Sequence, residues 1–248
     1  MQQNIKTAAV AFAVTLLLFG VAFSAYQLWS ILHDTQKATQ EYADVQQQFA
    51  VQTEDDAPTI NWPALQAQYP DIVAWLSCPD TPLDYPVVQG QDNSYYLTHL
   101  ATGENNKHGA IFVDCRNAKL LTDENTILYS HNMNDGTMFH GLLNWGNADY
   151  AAAHSTMYLQ TPYKTYALRV FNACVVTADS AEYQLDFEST DKSAWLDQCA
   201  RHSYFTADYV PSAELPVVTF STCSGKDHWF VVQASATEIF QERGITDG

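Results

Sequence analysis

The chain begins with one long apolar stretch and continues as a series of short hydrophobic runs. No charged residue occurs between Thr7 and Leu32. A helix over these 26 residues rises about 39 Å, more than the roughly 30 Å of a bilayer's hydrocarbon core. Tyr26 and Trp29 lie near its end, where aromatic side chains favour the headgroup boundary. The pattern predicts a transmembrane helix over residues 7–32, preceded by a short segment of residues 1–6.

A cleaved signal peptide is the alternative interpretation of this stretch. Ala22-Phe23-Ser24 fits the small-x-small pattern of a cleavage site. The apolar run continues through Tyr26, Leu28 and Leu32, which makes it longer than the apolar region of a signal peptide needs to be. The uncleaved anchor is therefore favoured, and cleavage stays open.

Residues 33–60 are predicted to form a helical stalk that leads into a folded domain over residues 61–248. Good helix formers such as Gln40 and Glu41 alternate with alanines here, but the apolar stripe is thin. The acidic residues and the proline at 54–58 then break the helical pattern.

The remainder of the chain predicts a mainly β domain with a few helices. Pro63 suits the first turn of a helix over Trp62–Gln68, and the spacing of Trp195, Leu196 and Cys199 predicts a late inserted helix over Lys192–His202. The β-rich runs are separated by Gly, Asn, Asp and Pro, and suggest seven or eight strands that close into a barrel. These runs are residues 85–89, 110–114, 126–131, 156–159, 166–176, 216–223 and 228–236.

The charge of the chain argues against nucleic acid as a partner. All 28 acidic residues and ten of the 11 basic ones follow the apolar stretch, which gives that part a formal charge of −18. Such a surface repels phosphate backbones, and no basic stripe is available to bind them. We interpret the acidic surface as keeping the domain soluble rather than as a cation site.

Five cysteines leave one unpaired even if the other four form bridges. A domain of this size can be stabilised by hydrophobic burial without disulfides. Cys78, Cys115 and Cys174 have apolar sequence neighbours, so buried free thiols are favoured over bridges. There is no Cys-x-x-Cys and no close His/Cys cluster, and the sequence predicts neither a metal nor a cofactor.

Two of the hydrophobic runs end on residues that could react. Cys223 ends the run that begins at Val217 and is followed by the turn-forming Ser224-Gly225. The thiolate is the reactive form of cysteine and needs a base or a cation nearby. His131 ends another short run, and two strands of one sheet would bring the two ends together. Taken singly, a core cysteine and a turn histidine would be ordinary; as a pair they predict a nucleophile and its base.

Six blocks that include this pair resemble the class B sortases, the membrane-anchored cysteine transpeptidases of the Gram-positive cell surface. A lone Thr-x-x-Thr-Cys would be a weak signal, but six blocks in family order over about residues 62–240 are specific. The blocks are Pro70-Asp71-Ile72-Val73-Ala74-Trp75-Leu76, Asp84-Tyr85-Pro86-Val87-Val88-Gln89-Gly90, Asp92-Asn93-Ser94-Tyr95-Tyr96-Leu97, His108-Gly109-Ala110-Ile111-Phe112-Val113-Asp114, Tyr129-Ser130-His131-Asn132-Met133 with Asp135-Gly136-Thr137-Met138-Phe139, and Thr219-Phe220-Ser221-Thr222-Cys223.

The resemblance implies a sortase-type barrel outside the cell, anchored in the cell membrane by a single pass with its N-terminus cytoplasmic. It implies that Cys223 cleaves the sorting signal of surface proteins after a threonine, often in an Asn-Pro-x-Thr-type motif, through a thioester. The acyl group would pass to an amine of the cell-wall precursor or to a pilin lysine. His131 would protonate the leaving amine and deprotonate the incoming one.

The resemblance also implies substrate contacts by Asn93, Leu97, Ser221 and Thr222, and a structural role for Arg116. The chain departs from the family pattern where an arginine is expected shortly after the cysteine. Trp229 stands at that place, and the nearby substitutes are Lys226 and His228. Losing one oxyanion donor typically costs about 10²–10³ in rate.

Two alternatives to transpeptidation stay open at this stage. A membrane-anchored cysteine peptidase, a hydrolase of the thiol-protease type, would use the same Cys–His pair and release the acyl group to water. A catalytically silent sortase fold that serves as a binding module would account for the missing arginine, although Cys223 and His131 oppose it.

Overall fold

The N-terminal part of the protein is a single long helix, α1 (Gln2–Phe49). The structure is a computed structural model that describes residues 2–51, 57–118, 121–187 and 191–239, so most of the predicted break at residues 54–58 lies outside the described residues. Side chains from residue 11 to residue 29 of α1 are exposed. The helix is long and apolar enough to cross a membrane.

Eight strands close into a barrel, which confirms the predicted fold class. The order around the barrel is β10-β8-β7-β3-β4-β5-β6-β9, closing between β9 and β10, and a separate two-stranded sheet joins β1 and β2. The strands are β1 (Ala50–Val51), β2 (Thr59–Ile60), β3 (Ile72–Ser77), β4 (Asp84–Gln89), β5 (Ile111–Val113), β6 (Asn125–Tyr129), β7 (Thr156–Gln160), β8 (Thr165–Val176), β9 (Val217–Gly225) and β10 (His228–Ile239).

Helices occupy the connections between these strands. The two predicted helices, α2 (Trp62–Gln68) and α4 (Lys192–His202), have the predicted bounds. Asn61 caps α2 and Asp191 caps α4 through their side-chain oxygens. The structure adds elements that the sequence did not predict: α3 (Ala148–Ala153) and three 3₁₀ helices, Tyr95–Leu97, Phe139–Gly146 and Ala181–Tyr183.

The second half of α1, within the predicted stalk, packs against the barrel. Ala38, Tyr42, Val45 and Phe49 are all at most 5% exposed and belong to the main hydrophobic core. They recur every three or four residues and so form one stripe along the helix. The hydroxyl of Tyr42 donates to the carbonyl of Gly109 at 2.7 Å. This part of the helix is therefore an integral layer of the domain.

Parallel pairing of β6 with β9 joins two regions of the chain that are far apart in sequence. The register runs from Asn125↔Val217 to Tyr129↔Ser221. A buried hydrogen bond from Thr219 Oγ1 to Asn125 Oδ1 at 2.8 Å ties the two strands through their side chains. Because a one-residue slip would orphan these buried polar groups, the network fixes the register.

We expect the packing of α1 to depend on the Tyr42 hydroxyl. Tyr42→Phe keeps the ring but leaves the buried Gly109 carbonyl without this donor, so the free energy of unfolding should fall by about 1–2 kcal/mol. Urea denaturation of residues 33–248 measures the change. Gln47→Ala, on the exposed face of the same helix, is the matched control and should change stability by less than about 0.5 kcal/mol. Equal losses in both variants would contradict this account.

Candidate active site

The structure brings the predicted nucleophile and base to the same end of the barrel. His131 follows β6 by two residues, and Cys223 lies two residues beyond Ser221, the last β9 residue paired with β6. The pairing continues past β6, because the Ser130 amide donates to the Ser221 carbonyl at 3.2 Å. Parallel neighbours end at the same edge of a sheet, which explains how residues 92 positions apart meet.

A carbonyl group fixes the proton arrangement of the His131 ring. Nε2 of His131 lies 2.7 Å from the backbone oxygen of Leu97. A carbonyl oxygen only accepts hydrogen bonds, so Nε2 carries the proton. In the neutral ring Nδ1 then keeps its lone pair and is the atom that can exchange a proton with a substrate or with a thiol.

Gly109 provides the space in which the His131 ring lies. Its φ of +62° belongs to the left-handed region, and a Cβ there would lie 2.6 Å from the Tyr96 oxygen and 3.1 Å from Cδ2 of His131. A side chain at this position would therefore be strained and would push against the backbone and the imidazole.

Asn132 links the two strand ends, a role that the sequence analysis did not assign. Its Nδ2 donates to the Cys223 carbonyl at 3.0 Å, and its Oδ1 lies 2.7 Å from Nδ1 of His140. Since Oδ1 is an acceptor, His140 donates through Nδ1. The only sequence signal for this contact was the position of Asn132 next to His131.

Cys223 is exposed, whereas three of the other thiols are buried. Burial raises the pKa of Cys78 to about 11 and that of Cys174 to about 12, and it also raises the pKa of Cys199. All five cysteines are unpaired. The prediction of a buried thiol was wrong for Cys115, which is exposed because it lies in the turn after β5, where its amide is bound by the Asn93 side chain at 2.8 Å.

The four predicted substrate contacts differ in their accessibility. Leu97 is 37% exposed, and Asn93 is half-buried with its Oδ1 bound to the Cys115 amide. Ser221 is buried and its Oγ is 2.8 Å from the Tyr183 hydroxyl. Thr222 is 1% exposed and donates to the Ser130 carbonyl at 2.9 Å, so the structure does not bring Thr222 to the side on which Cys223 is open.

Trp229 occupies the position across the hairpin from the nucleophile. In the antiparallel pairing of β9 with β10 it is the direct partner of Cys223, so the two side chains lie on one face of the sheet. Lys226 and His228, the predicted substitutes for the missing arginine, are exposed in the turn of this hairpin. Nδ1 of His228 lies 2.8 Å from the Lys226 carbonyl, a local turn contact.

Tyr183 is a further residue beside the nucleophile that the sequence analysis missed. Burial raises its pKa to about 12, its bond to Ser221 works against this, and the charge of Cys223 adds to the rise. The Tyr183 ring stacks at 6.5 Å on Tyr129. No local pattern marks Tyr183, because it lies in a short 3₁₀ helix far from Cys223 in sequence.

Two depressions adjoin Cys223 on opposite sides of the β9–β10 hairpin. One, of about 550 Å³, is lined by Trp229, Tyr183, Tyr129 and Arg116 among others. The other, of about 920 Å³, includes Ser224, the chain neighbour of Cys223. A reaction between two substrates at one thiol requires space on two sides, and this surface provides it. Among the described residues no group of three or more His, Cys, Asp or Glu side chains is placed to hold a metal ion.

A closed barrel with a cysteine and a histidine at the ends of neighbouring strands defines the class of protein, and comparisons with known proteins agree with it. The sortase domain family matches residues 76–237. Sortase B of Listeria monocytogenes is 34% identical over 220 residues, covering 85% of this chain and 88% of that protein.

Solved structures give the same result. Sortase B of Staphylococcus aureus is 32% identical with a TM-score of 0.69, over 72% of this chain and 87% of that chain. Sortase B has also been solved as a substrate complex and with triglycine. Sortase B from Bacillus anthracis in complex with AAEK1 is 30% identical with a TM-score of 0.74, over 84% of this chain and 100% of that chain. The chain therefore belongs to the sortase family, in its class B.

Arg116 forms a buried ion pair under the smaller depression. Its Nε and Nη2 donate to the two oxygens of Asp114 at 3.0 and 2.7 Å, and the Tyr129 hydroxyl donates to Asp114 at 3.1 Å. Burial alone would raise the pKa of Asp114, but the hydrogen bonds from Arg116 outweigh it and hold the pKa at about 2. This geometry gives Arg116 a clear structural function.

The lowered pKa of Asp114 predicts a pH dependence of stability. The ionised carboxylate stabilises the fold fully above about pH 4, its unfolded pKa, and this contribution is lost as the pH falls towards 2. Asp114→Asn should lower the free energy of unfolding at pH 7 by about 2 kcal/mol and reduce the loss between pH 4 and 2, measured by denaturation at each pH. Asp208→Asn removes a carboxylate that is 78% exposed and should leave the profile unchanged. A wild-type profile retained by Asp114→Asn would contradict the assignment.

Proposed function

We propose that this protein is a membrane-anchored cysteine transpeptidase of the cell surface. It cleaves the C-terminal sorting signal of surface proteins after threonine, in an Asn-Pro-x-Thr-type motif, and transfers the acyl group to an amine of the cell-wall precursor or to a pilin lysine. The observation that carries the proposal is the meeting of Cys223 and His131 at the ends of β6 and β9. The relatives solved with a substrate and with triglycine support the two substrate classes.

The site residues suggest how each half-reaction proceeds. Sγ of Cys223 attacks the threonine carbonyl carbon, the C–N bond breaks, and the leaving amine takes a proton from His131. The incoming amine then attacks the thioester carbon, the C–S bond breaks, and His131 accepts the amine proton as the thiolate reforms. The bond from Nε2 of His131 to Leu97 orients the ring for both steps and leaves Nδ1 as the exchanging atom.

The membrane anchor belongs to the same proposal. The apolar part of α1 exposes large side chains that the barrel does not cover, such as Phe19 at 74% and Leu17 at 68%. A bilayer would bury this surface. We place the N-terminus in the cytoplasm and the barrel outside the cell, with residues 7–32 crossing the membrane.

Hydrolysis is the second candidate, because the same thiol and imidazole would serve a peptidase. The two depressions that flank Cys223 favour transfer over release to water, since an amine acceptor needs its own binding surface. A silent binding module is the third candidate, and its support is the tryptophan at the place of the family arginine.

The first test uses residues 33–248 with an Asn-Pro-x-Thr-x peptide library and a primary amine. We expect a ligated product by mass spectrometry that is lost in Cys223→Ala and reduced at least about 100-fold in His131→Ala. Cys115→Ser removes the other exposed thiol and should retain activity. Cleavage without ligation would favour the peptidase, and the absence of any acyl-enzyme would favour the silent module.

A second test concerns Trp229, which pairs with Cys223 where the family pattern has an arginine. Trp229→Arg would place a guanidinium beside the thiol and should raise the rate of acylation by about 10-fold or more, because one added oxyanion donor is worth up to about 10²–10³. Single-turnover formation of the acyl-enzyme measures the effect. Trp229→Phe, which keeps an aromatic ring, is the control and should not accelerate the reaction. Equal rates in both variants would indicate that this position does not face the developing oxyanion.

A further inference from the structure

The direction of α1 along the barrel relates the active site to the membrane. Trp229 pairs with Val176 at the barrel end that holds Cys223, and Ile239 pairs with Thr165 at the opposite end. The end of α1 lies at that opposite end, because it continues into β1, which pairs with β2, and the residue before β2 accepts a hydrogen bond at 2.5 Å from Gln160, itself the partner of Thr165. The helix therefore enters the domain at the end that carries the active site.

The first contacts between α1 and the domain come directly after the apolar stretch. The Asp34 carbonyl accepts from Nδ2 of Asn106 at 2.9 Å, two residues beyond Leu32. Lys37 pairs with Glu104. At 1.5 Å per residue, Asp34 lies only about 3 Å beyond Leu32 along the helix. No flexible linker separates the apolar helix from the barrel, since α1 is helical throughout.

One loop connects these contacts to the catalytic histidine. Residues 97–109 begin at Leu97, whose carbonyl holds His131, and end at Gly109, against which the His131 ring lies. Tyr42, ten residues beyond Leu32 and about 15 Å further along the axis, bonds to the Gly109 carbonyl. Side chains in a helix lean towards its N-terminus, so the reaction centre lies at most about 15 Å beyond the end of the apolar stretch.

We propose that α1 acts as a rigid spacer that holds the Cys223–His131 end of the barrel against the bilayer, with residues 98–107 in the lipid headgroup layer. The headgroup layer extends about 5–8 Å from the hydrocarbon, which reaches the level of Asp34 and Asn106. The proposal rests on the membrane anchor put forward above. Its partner is the surface of the same bilayer that α1 crosses.

The charge of the domain makes the helix necessary for this placement. The part of the chain after residue 32 carries a formal charge of −18, which anionic headgroups repel. Lys107, 71% exposed beside Asp34, is one cation at this end. Attraction by charge therefore does not account for the docking, whereas a continuous helix fixes both height and orientation against that repulsion.

This placement narrows the acceptor that the site can use. An active site held within about 15 Å of the apolar helix end meets amines carried by a lipid-linked precursor at the membrane surface. It also meets a sorting signal that is itself still held at the membrane. Amines in polymerised wall further from the bilayer lie beyond its reach.

A depth measurement tests the placement without using activity. The full chain, with Cys115→Ser and Cys223→Ala to remove the exposed thiols, is reconstituted in phosphatidylglycerol–phosphatidylethanolamine vesicles. A fluorophore is attached at Lys107→Cys or at Gln47→Cys, which lies on the exposed face of α1 about 22 Å beyond Leu32. Headgroup spin-labelled lipid should quench the label at residue 107 at least threefold more than the label at residue 47. Equal quenching would overturn the proposal, and protein that fails to float with the vesicles would overturn both this proposal and the anchor.

A spacing variant tests the consequence for catalysis. An insert of about 18 helix-forming residues between Leu32 and His33 adds five whole turns and about 27 Å, so it raises the barrel without rotating it. Ligation of a vesicle-anchored signal peptide to a lipid-linked amine should fall at least 10-fold, while ligation of the soluble peptide to a soluble amine stays unchanged. Full activity of the insert on the lipid-linked pair would overturn the proposal. Absence of soluble ligation in the parent protein would instead overturn the proposed transpeptidase.

Discussion

The parallel pairing of β6 with β9 is the constraint on which the rest of the structure depends. It closes the barrel, and it also decides that the two strands end at one edge, so that His131 and Cys223 become neighbours. Parallel strands need a long connection between them, and here the connection contains β7, β8 and α4. The buried bond between Asn125 and Thr219 holds the register inside the barrel. The catalytic arrangement is thus a consequence of a fixed register far from solvent.

Around this pair, the backbone carries much of the positioning. The Leu97 carbonyl holds the His131 ring, the Cys223 carbonyl receives Asn132, and Thr222 binds the carbonyl of Ser130. Contacts to main-chain atoms survive most side-chain substitutions at the acceptor residue. They depend instead on the path of the chain, which explains why the glycine conformation at residue 109 is part of the site.

Much of this arrangement followed from the sequence, and the parts that did not have identifiable causes. The barrel, α2 and α4 were predicted because turn residues and helical spacing mark them. β3 was not, because its residues are almost all buried, and a continuous apolar run carries no period that separates strand from helix. The stripe of α1 looked too thin to pack, yet four well-spaced side chains suffice against a barrel already formed. Alternation along β9 would have placed Thr222 opposite to Cys223, whereas Tyr183 and His140 reach the site only through tertiary contacts.

The accessibility of the cysteines has a consequence for chemical probes. Cys78, Cys174 and Cys199 are buried with raised pKa values, so an electrophile in solution encounters two thiols on the folded protein. One is the nucleophile, and the other is Cys115, whose amide is anchored by Asn93. A covalent inhibitor directed at Cys223 must therefore gain its selectivity from the surfaces beside Trp229 and Ser224, since sulfur reactivity alone does not confine it to one site. Reagents of different size would report on these two surroundings separately within a single molecule.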